Sequence, residues 1–255
     1  MRGKAQIANG KWRMANGERR MANGESRDTF HVSRFTFHAS RNTDCELRIA
    51  NCELRIIPYD VFLVGVGGQG VLTIGDVLTE AALRLGMPVS FYPTKGMAQR
   101  GGFVKAQLRL GRQQVGPNIP EQGADLVIAM EVSEALKAVR FVKPGGDFLL
   151  FGHVWPPTAV MLGKAPYPAL EQVLEQVQEA GGRKHYLAAE NLPLYDGRPV
   201  PANIFVLGAA VGHTGLGQVL APSAVAEVIE TRWKRGAERN AFAFQAGLAQ
   251  MANGK

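Results

Sequence analysis

The sequence is most constrained between Val61 and Gly86, VFLVGVGGQGVLTIGDVLTEAALRLG. Residues 59–64 form a short apolar run with aromatic and β-branched members, which suits a strand buried on both faces. The run breaks into Gly65-Val66-Gly67-Gly68-Gln69-Gly70. From there Val71, Leu72, Ile74, Leu78, Ala81, Ala82 and Leu85 recur at helical spacing until Gly86 stops them. A strand that passes through glycines straight into an amphipathic helix lays that helix back on its own sheet. The chain is therefore committed to a layered α/β fold.

The alternation continues downstream. Strands are predicted at residues 88–92, 103–110 (with Val104, Ala106, Leu108 and Leu110 on one face), 125–130, 147–151 and 184–188. Helices are predicted at 132–141, closed by the turn Lys143-Pro144-Gly145-Gly146, and at 168–180, closed by Gly181-Gly182. After Pro201 the pattern is helical to the end, with breaks at Gly215-Leu216-Gly217 and Gly236. The expected fold is α/β, a Rossmann-like doubly wound sheet with a helical C-terminal part.

The first residues do not follow this pattern. From 7 to 55 the chain runs in sevens, IANGKWR, MANGERR, MANGESR, DTFHVSR, FTFHASR, NTDCELR, IANCELR. A coiled coil needs two apolar seam positions, but the fourth position here holds Gly, Gly, Gly, His, His, Cys and Cys, and glycine weakens helix. A targeting peptide would need a continuous apolar stretch or an amphipathic period, and neither is present. Residues 1–57 are read as a disordered tail translated from a tandem repeat, one that need not belong to the native gene product. Residues 251–255 copy the same unit. Residues 58–250 are the expected domain.

Removing the tail changes the electrostatic reading. Residues 1–57 hold 11 Lys+Arg and 6 Asp+Glu, a net of +5, whereas residues 58–255 hold 18 and 16, a net of +2. The basic balance belongs mostly to the tail, so no nucleic-acid partner is expected. Both cysteines, Cys45 and Cys52, also lie in the tail, so the body offers no thiolate for an iron–sulfur cluster, a disulfide or a nucleophile. No apolar run approaches the roughly 20 residues of a membrane span. A soluble, cytoplasmic domain is expected.

The glycine turn has the outline of a dinucleotide site. Gly65 permits the sharp exit from the strand, Gly67 and Gly68 let backbone N–H groups approach a ligand, and Gly70 lets the helix sit close to the sheet, with its N-terminus free to stabilise an anion. An NAD site also wants an acid about 20 residues on. None occurs from Ala81 to Pro120, a stretch with six cations, Arg84, Lys95, Arg100, Lys105, Arg109 and Arg112, which leads us to expect an anionic partner there. Three uses of the turn stay open at this level: NADP or another nucleotide, a non-redox anion, or a turn that only packs. A second cluster, Gly96-Met97-Ala98-Gln99-Arg100-Gly101-Gly102, falls on the carboxyl edge, where open α/β sheets bind ligands. Candidate binding residues are Gly65, Gly67, Gly68, Gln69, Gly70, Gln99, Arg100, Gly101 and Gly102.

Other side chains read as structural. His153, His185 and His213 lack metal-ligand spacing, and His213 is expected to be a satisfied helix-end residue. Ser133 and Ser223 suit helix caps, Glu131 and Glu134 a solvated helix face, and Asn203 a cap or an interface. No catalytic residue and no metal site are assigned to this chain. A Tyr-x-x-x-Lys pairing, which a free-standing NADP-dependent reductase would use, is absent.

GVGGQGV after a first strand, GMAQRGG some thirty residues on, then IPEQGADLVIAMEVSEAL, KPGG, ANIFVLGAAVGHTG and RNAFAFQAG resemble the gamma-type subunits of the 2-oxoacid:ferredoxin oxidoreductases. Within them, the likeness is to the beta subunits of the indolepyruvate branch. It covers roughly residues 58–249 and leaves out the heptads. It implies a subunit of a complex that decarboxylates a 2-oxoacid, indolepyruvate or another aryl or branched acid, on thiamine diphosphate with Mg. Electrons would pass through iron–sulfur clusters to ferredoxin, and acyl-CoA would form. Thiamine and clusters would sit in partner subunits, and this chain would shape the CoA or partner interface. An assembly subunit without ligand contact is the other role that the resemblance leaves open.

A tail that buries no coherent apolar face cannot offset its own ordering entropy. Deleting residues 1–56 is expected to move the melting temperature by less than about 2 °C, well under 1 kcal/mol for a body of this size. A larger drop in a calorimetric scan would show that the tail packs on the body.

Overall fold

Tyr59–Val66 forms β1, and all eight of its residues are buried, as the apolar run requires. The computed structural model describes residues 6–8, 11–13, 57–95 and 102–250. The chain divides into two units, Met1–Asn51 and Cys52–Lys255. In the first, Gln6–Ala8 and Lys11–Arg13 pair antiparallel, with Ala8 opposite Lys11. The disorder expected for the rest of the repeat tail lies outside the described residues.

In the second unit, β1 leads through the glycine turn into α1 (Val71–Arg84). There follow β2 (Val89–Lys95), β3 (Phe103–Leu110), β4 (Ala124–Ala129), α2 (Val132–Ala138), β5 (Val142–Phe151), α3 (Leu170–Glu179) and β6 (Arg183–Leu187). Three longer helices close the chain, α4 (Ala202–His213), α5 (Pro222–Arg232) and α6 (Ala237–Ala249). The strand order is β2-β3-β1-β4-β5-β6. The pairs β1/β4, β4/β5 and β5/β6 are parallel, whereas β3 runs antiparallel to both its neighbours.

The position of β3 is the main departure from a simple doubly wound order, because β3 rather than β2 lies beside β1. Its alternating sequence gives the physical reason. Ala106, Leu108 and Leu110 enter the apolar layer under α1, while Gln107 and Arg109 on the other face are buried only because a loop covers them. The Ile119 N–H donates to Gln107 Oε1 at 2.5 Å, and Arg109 donates to the carbonyls of Gly116 and Asn118. Strands flanked by helices on both faces read as continuous apolar runs, and β3 does not.

The sheet separates two cores. Val61, Leu63, Leu108, Leu126, Ile128 and Leu149 pack against α1, α4, α5 and α6, whereas Phe62, Val64, Val127, Phe148 and Leu150 pack against α2 and α3. Helices α4 and α6 approach so closely that a Cβ on Gly208 would lie 2.2 Å from the Phe244 carbonyl, and one on Gly247 would lie 2.1 Å from that of Phe205. The predicted helix at 132–141 is cut short, because Val139–Phe141 tightens into a 3₁₀ turn where Phe141 stacks on Phe62 at 4.1 Å. The Lys143–Gly146 turn is absorbed into β5 by a register shift between Ala124 and Leu126.

Charged groups gather at the amino edge. Arg109 grips the buried Asp60 through two bonds of 3.0 Å, and Arg112 reaches the same carboxylate at 3.2 Å. Arg84 pairs with Glu80 and Glu227. Three of the six cations in the acid-free stretch are thus neutralised by carboxylates elsewhere in the chain, which corrects the inference that the stretch as a whole awaits an anion. Residue spacing cannot reveal such pairs.

Asp147, buried at the start of the straight part of β5, accepts from Arg183 at 2.8 and 2.9 Å, from His185 at 2.9 Å and from the Gly215 N–H at 3.0 Å. It thereby ties β5, β6 and the end of α4 together. Burial pushes its carboxyl group up, but the hydrogen bonds from His185, Arg183 and Gly215 outweigh this and hold it below the usual carboxylate value. A depressed folded-state pKa contributes stability that is present above the unfolded value of about 3.9 and is lost as pH falls through the folded value. Asp147→Asn is expected to cost about 1–3 kcal/mol at neutral pH, with Arg183 discounted for its exposure. In urea melts the gap from the parent protein should close below about pH 4; a gap independent of pH would show that the carboxylate charge is not what matters.

Candidate functional site

The parallel strands deliver their carboxyl ends, and β3 its amino end, to one edge of the sheet, with Val66 opposite Phe103 and Val64 opposite Ala129. The glycine turn lies at this edge and is closed largely by its own chain. Gln69 folds back so that Oε1 accepts from the Val66 N–H and Nε2 donates to the Met130 carbonyl, both at 2.9 Å. The Gly67 N–H donates to the Gly102 carbonyl at 2.8 Å, and the Gln69 N–H to the Val66 carbonyl at 3.2 Å.

These bonds change what the turn can do. In a dinucleotide site a pyrophosphate approaches the turn's N–H groups, but here a backbone carbonyl from the start of β3 already meets Gly67. Gln69 is a strut rather than a ligand group. Gly65 leaves no room for a side chain, since a Cβ there would lie 2.7 Å from Gln69 Oε1 and 2.9 Å from Met130 Cβ. Gly70, at φ +74°, sits under Asn203, whose Nδ2 would be 2.4 Å from a Cβ there. Gly68 is open, with φ +105° and nothing within 4 Å of an added Cβ. With β2 displaced to the sheet margin, its carboxyl end no longer lies beside β1 as it does in a dinucleotide-binding sheet, which weighs against the reading as a free-standing NADP site.

The sequence cluster at 96–102 is only partly visible. Gly102 touches the turn as described, whereas Gln99, Arg100 and Gly101 lie outside the described residues.

Opposite the turn stands a loop that sequence reasoning did not place. A cavity of about 410 Å³ is lined by Val66, Gly67, Gly68, Gln69, His153 and Trp155. His153 and Trp155 follow β5 with their rings nearly parallel, 26° apart, and centroids at 6.3 Å. The loop exposes Val154, Trp155, Met161 and Leu162, between 48% and 68% of each.

Glu131 anchors the loop. It was expected on a solvated helix face, but it is fully buried, and Glu134 is nearly so. Oε2 accepts from the Ser133 hydroxyl at 2.7 Å and the Glu134 N–H at 2.8 Å, capping α2; Oε1 accepts from the Trp155 N–H at 3.0 Å and the Tyr167 hydroxyl. Ser133, expected to cap, donates instead. Burial and then the Glu131 carboxylate push the Tyr167 hydroxyl far above its ordinary pKa, so it remains a donor. The sequence signals were an acid directly before a helix and a Trp-Pro-Pro in a strand-to-helix loop.

Helices α1 and α4 both begin here, with Asn203 Nδ2 donating to the Gly70 carbonyl at 3.5 Å. Neither has a side-chain cap or an acid in its first turn, so their positive ends are uncompensated. His213 ends α4 with Nε2 buried and without a partner among the described residues, not satisfied as expected. Lys234 and Arg239 line a separate concavity together with Arg198, Asp196 and Glu238. Among the described residues no group of three His, Cys, Asp or Glu is arranged to hold a metal, and no helix is long and apolar enough to cross a membrane.

The family model for pyruvate ferredoxin/flavodoxin oxidoreductase matches residues 60–250. The indolepyruvate oxidoreductase subunit IorB of Thermococcus kodakarensis is 38% identical over 152 residues, which is 59% of this chain and 75% of that protein. The IorB of Pyrococcus horikoshii is 36% identical over 159 residues, 62% of this chain and 78% of that one. Among solved structures, pyruvate oxidoreductase subunit PORC of Thermotoga maritima aligns with a TM-score of 0.56 at 21% identity, over 76% of this chain and 96% of that one, a likeness of fold.

If Gln69 is the strut of the turn, its amide cannot be replaced. Gln69→Glu places a carboxylate oxygen against the Met130 carbonyl, and Gln69→Ala leaves the Val66 N–H and that carbonyl unpaired. Each is expected to lower unfolding free energy by about 1–3 kcal/mol. Chemical denaturation of both variants at parental stability would refute the strut.

Proposed function

The chain belongs to the pyruvate ferredoxin/flavodoxin oxidoreductase family, and from that premise we infer that it is the gamma- or IorB-type subunit of a 2-oxoacid:ferredoxin oxidoreductase, presenting its carboxyl edge to the acyl acceptor CoA and to the thiamine-binding subunit. The observation that carries the reading is the blocked turn. Gly102 takes the Gly67 N–H and the Gln69 side chain is spent within the turn, yet Gly68 and the Trp155 wall still face one cavity beside the uncapped start of α1. Those features suit a phosphate-bearing substrate or a partner surface better than a tightly held redox cofactor.

Electron transfer is assigned to partner chains. Iron–sulfur clusters are held by cysteine thiolates, and residues 58–255 contain no cysteine. The clusters therefore belong to a partner subunit, and family membership favours the same place for thiamine diphosphate and Mg, with ferredoxin as acceptor. The identity to IorB proteins favours indolepyruvate or a related aryl 2-oxoacid as the substrate of the complex.

Arg100 is the cation that the sequence places between glycines beside Gly102, and an Arg can meet a phosphate or carboxylate with paired bonds. In the complex assembled with its thiamine-binding partner, Arg100→Ala is expected to weaken CoA-dependent turnover or subunit association by about 1.5–3 kcal/mol, the range of a hydrogen bond to a charged group. Rates against CoA concentration and a pull-down of the two chains measure this. Parental behaviour in both assays would remove the carboxyl edge from the function.

A further inference from the structure

Glu131 lies outside the cavity but controls its wall. Its carboxylate has no exposure to solvent, and burying a charge is costly unless every lone pair is used. Here the four bonds divide evenly. Each oxygen takes one backbone N–H and one hydroxyl: Glu134 N–H and Ser133 on the side of α2, Trp155 N–H and Tyr167 on the side of the loop. The Val132 N–H adds a third tie by donating to the His153 carbonyl at 3.1 Å. The preceding residue, Met130, accepts from Gln69. Residues 130–132 thus hold the floor of the cavity with one residue and its wall with the next two.

A helix cap alone would need only the Oε2 half of this arrangement. The Oε1 half ties down a loop whose Trp155 is 48% exposed and lines the cavity, and a half-exposed Trp gains little from its own burial. We propose that Glu131 is a positioning residue of this site, acting through Trp155 and Tyr167 to hold the aromatic wall at the distance from the glycine turn that the acyl acceptor requires. This rests on the reading of the carboxyl edge given above. Only a carboxylate serves, because an amide in either orientation turns its NH₂ toward one of two backbone N–H groups, neither of which can accept.

The two hydroxyl partners separate positioning from capping. Tyr167→Phe removes a donor from the loop side, and Ser133→Ala removes one from the helix side. Both are tested in the full chain assembled with its partner subunit, by rate against CoA concentration and by amide hydrogen exchange over residues 153–167. Tyr167→Phe is expected to raise KM for CoA three- to tenfold with kcat within twofold, and to speed exchange in the loop. Ser133→Ala should change neither, and Glu131→Gln should exceed Tyr167→Phe in both. Equal effects from the two hydroxyl deletions, or faster exchange with unaltered KM, would reduce Glu131 to a structural cap. Trp155→Ala keeps that result separate from the broader reading: if it leaves KM for CoA at the parental value, the cavity does not serve the acceptor and the function assigned to the edge fails.

Discussion

The fold at the carboxyl edge depends on one closure, the Gln69 side chain bridging the Val66 N–H and the Met130 carbonyl. Through it the turn after β1 is fastened to the end of β4, and Gly67 is fastened to the start of β3 by the Gly102 carbonyl. Strands β3, β1 and β4 are thereby locked together where β1 and β4 end and β3 begins. A turn that satisfies its own polar groups gives up the N–H array that would grip a pyrophosphate. It gains a rigid floor against which other elements can be set.

Glu131 repeats the principle one residue further along the chain. A buried carboxylate is tolerated because four donors surround it, and those donors come from a helix start on one side and from a loop on the other. The loop exposes Val154, Trp155, Met161 and Leu162, and its ties to Glu131 and Val132 are polar. Polar anchoring thus lets the protein display apolar surface, which hydrophobic packing alone would tend to bury.

The two ends of the sheet carry opposite electrostatics. At the amino edge Asp60 and Asp147 are buried and paired with Arg109, Arg112, Arg183 and His185. At the carboxyl edge α1 and α4 start side by side with no acid in either first turn. Acids neutralise cations at one end, whereas at the other Glu131 caps α2 and only the starts of α1 and α4 lack an acid.

The sequence by itself determined the layers. Strand and helix positions follow from apolar periodicity and glycine stops, both local properties, and β3 was legible residue for residue because its alternation is undisturbed over Phe103–Leu110. The tertiary structure decided what the glycines are for. Gly65, Gly67, Gly68 and Gly70 look alike in the sequence, yet one is crowded by Met130, one is bonded to Gly102, one is open and one lies under Asn203. Those partners are 35 to 133 residues away along the chain, and the donors to Glu131 from Trp155 and Tyr167 are 24 and 36 residues away. Pairing at that distance leaves no periodicity to read, because burial and hydrogen-bond satisfaction are settled only when separate elements meet.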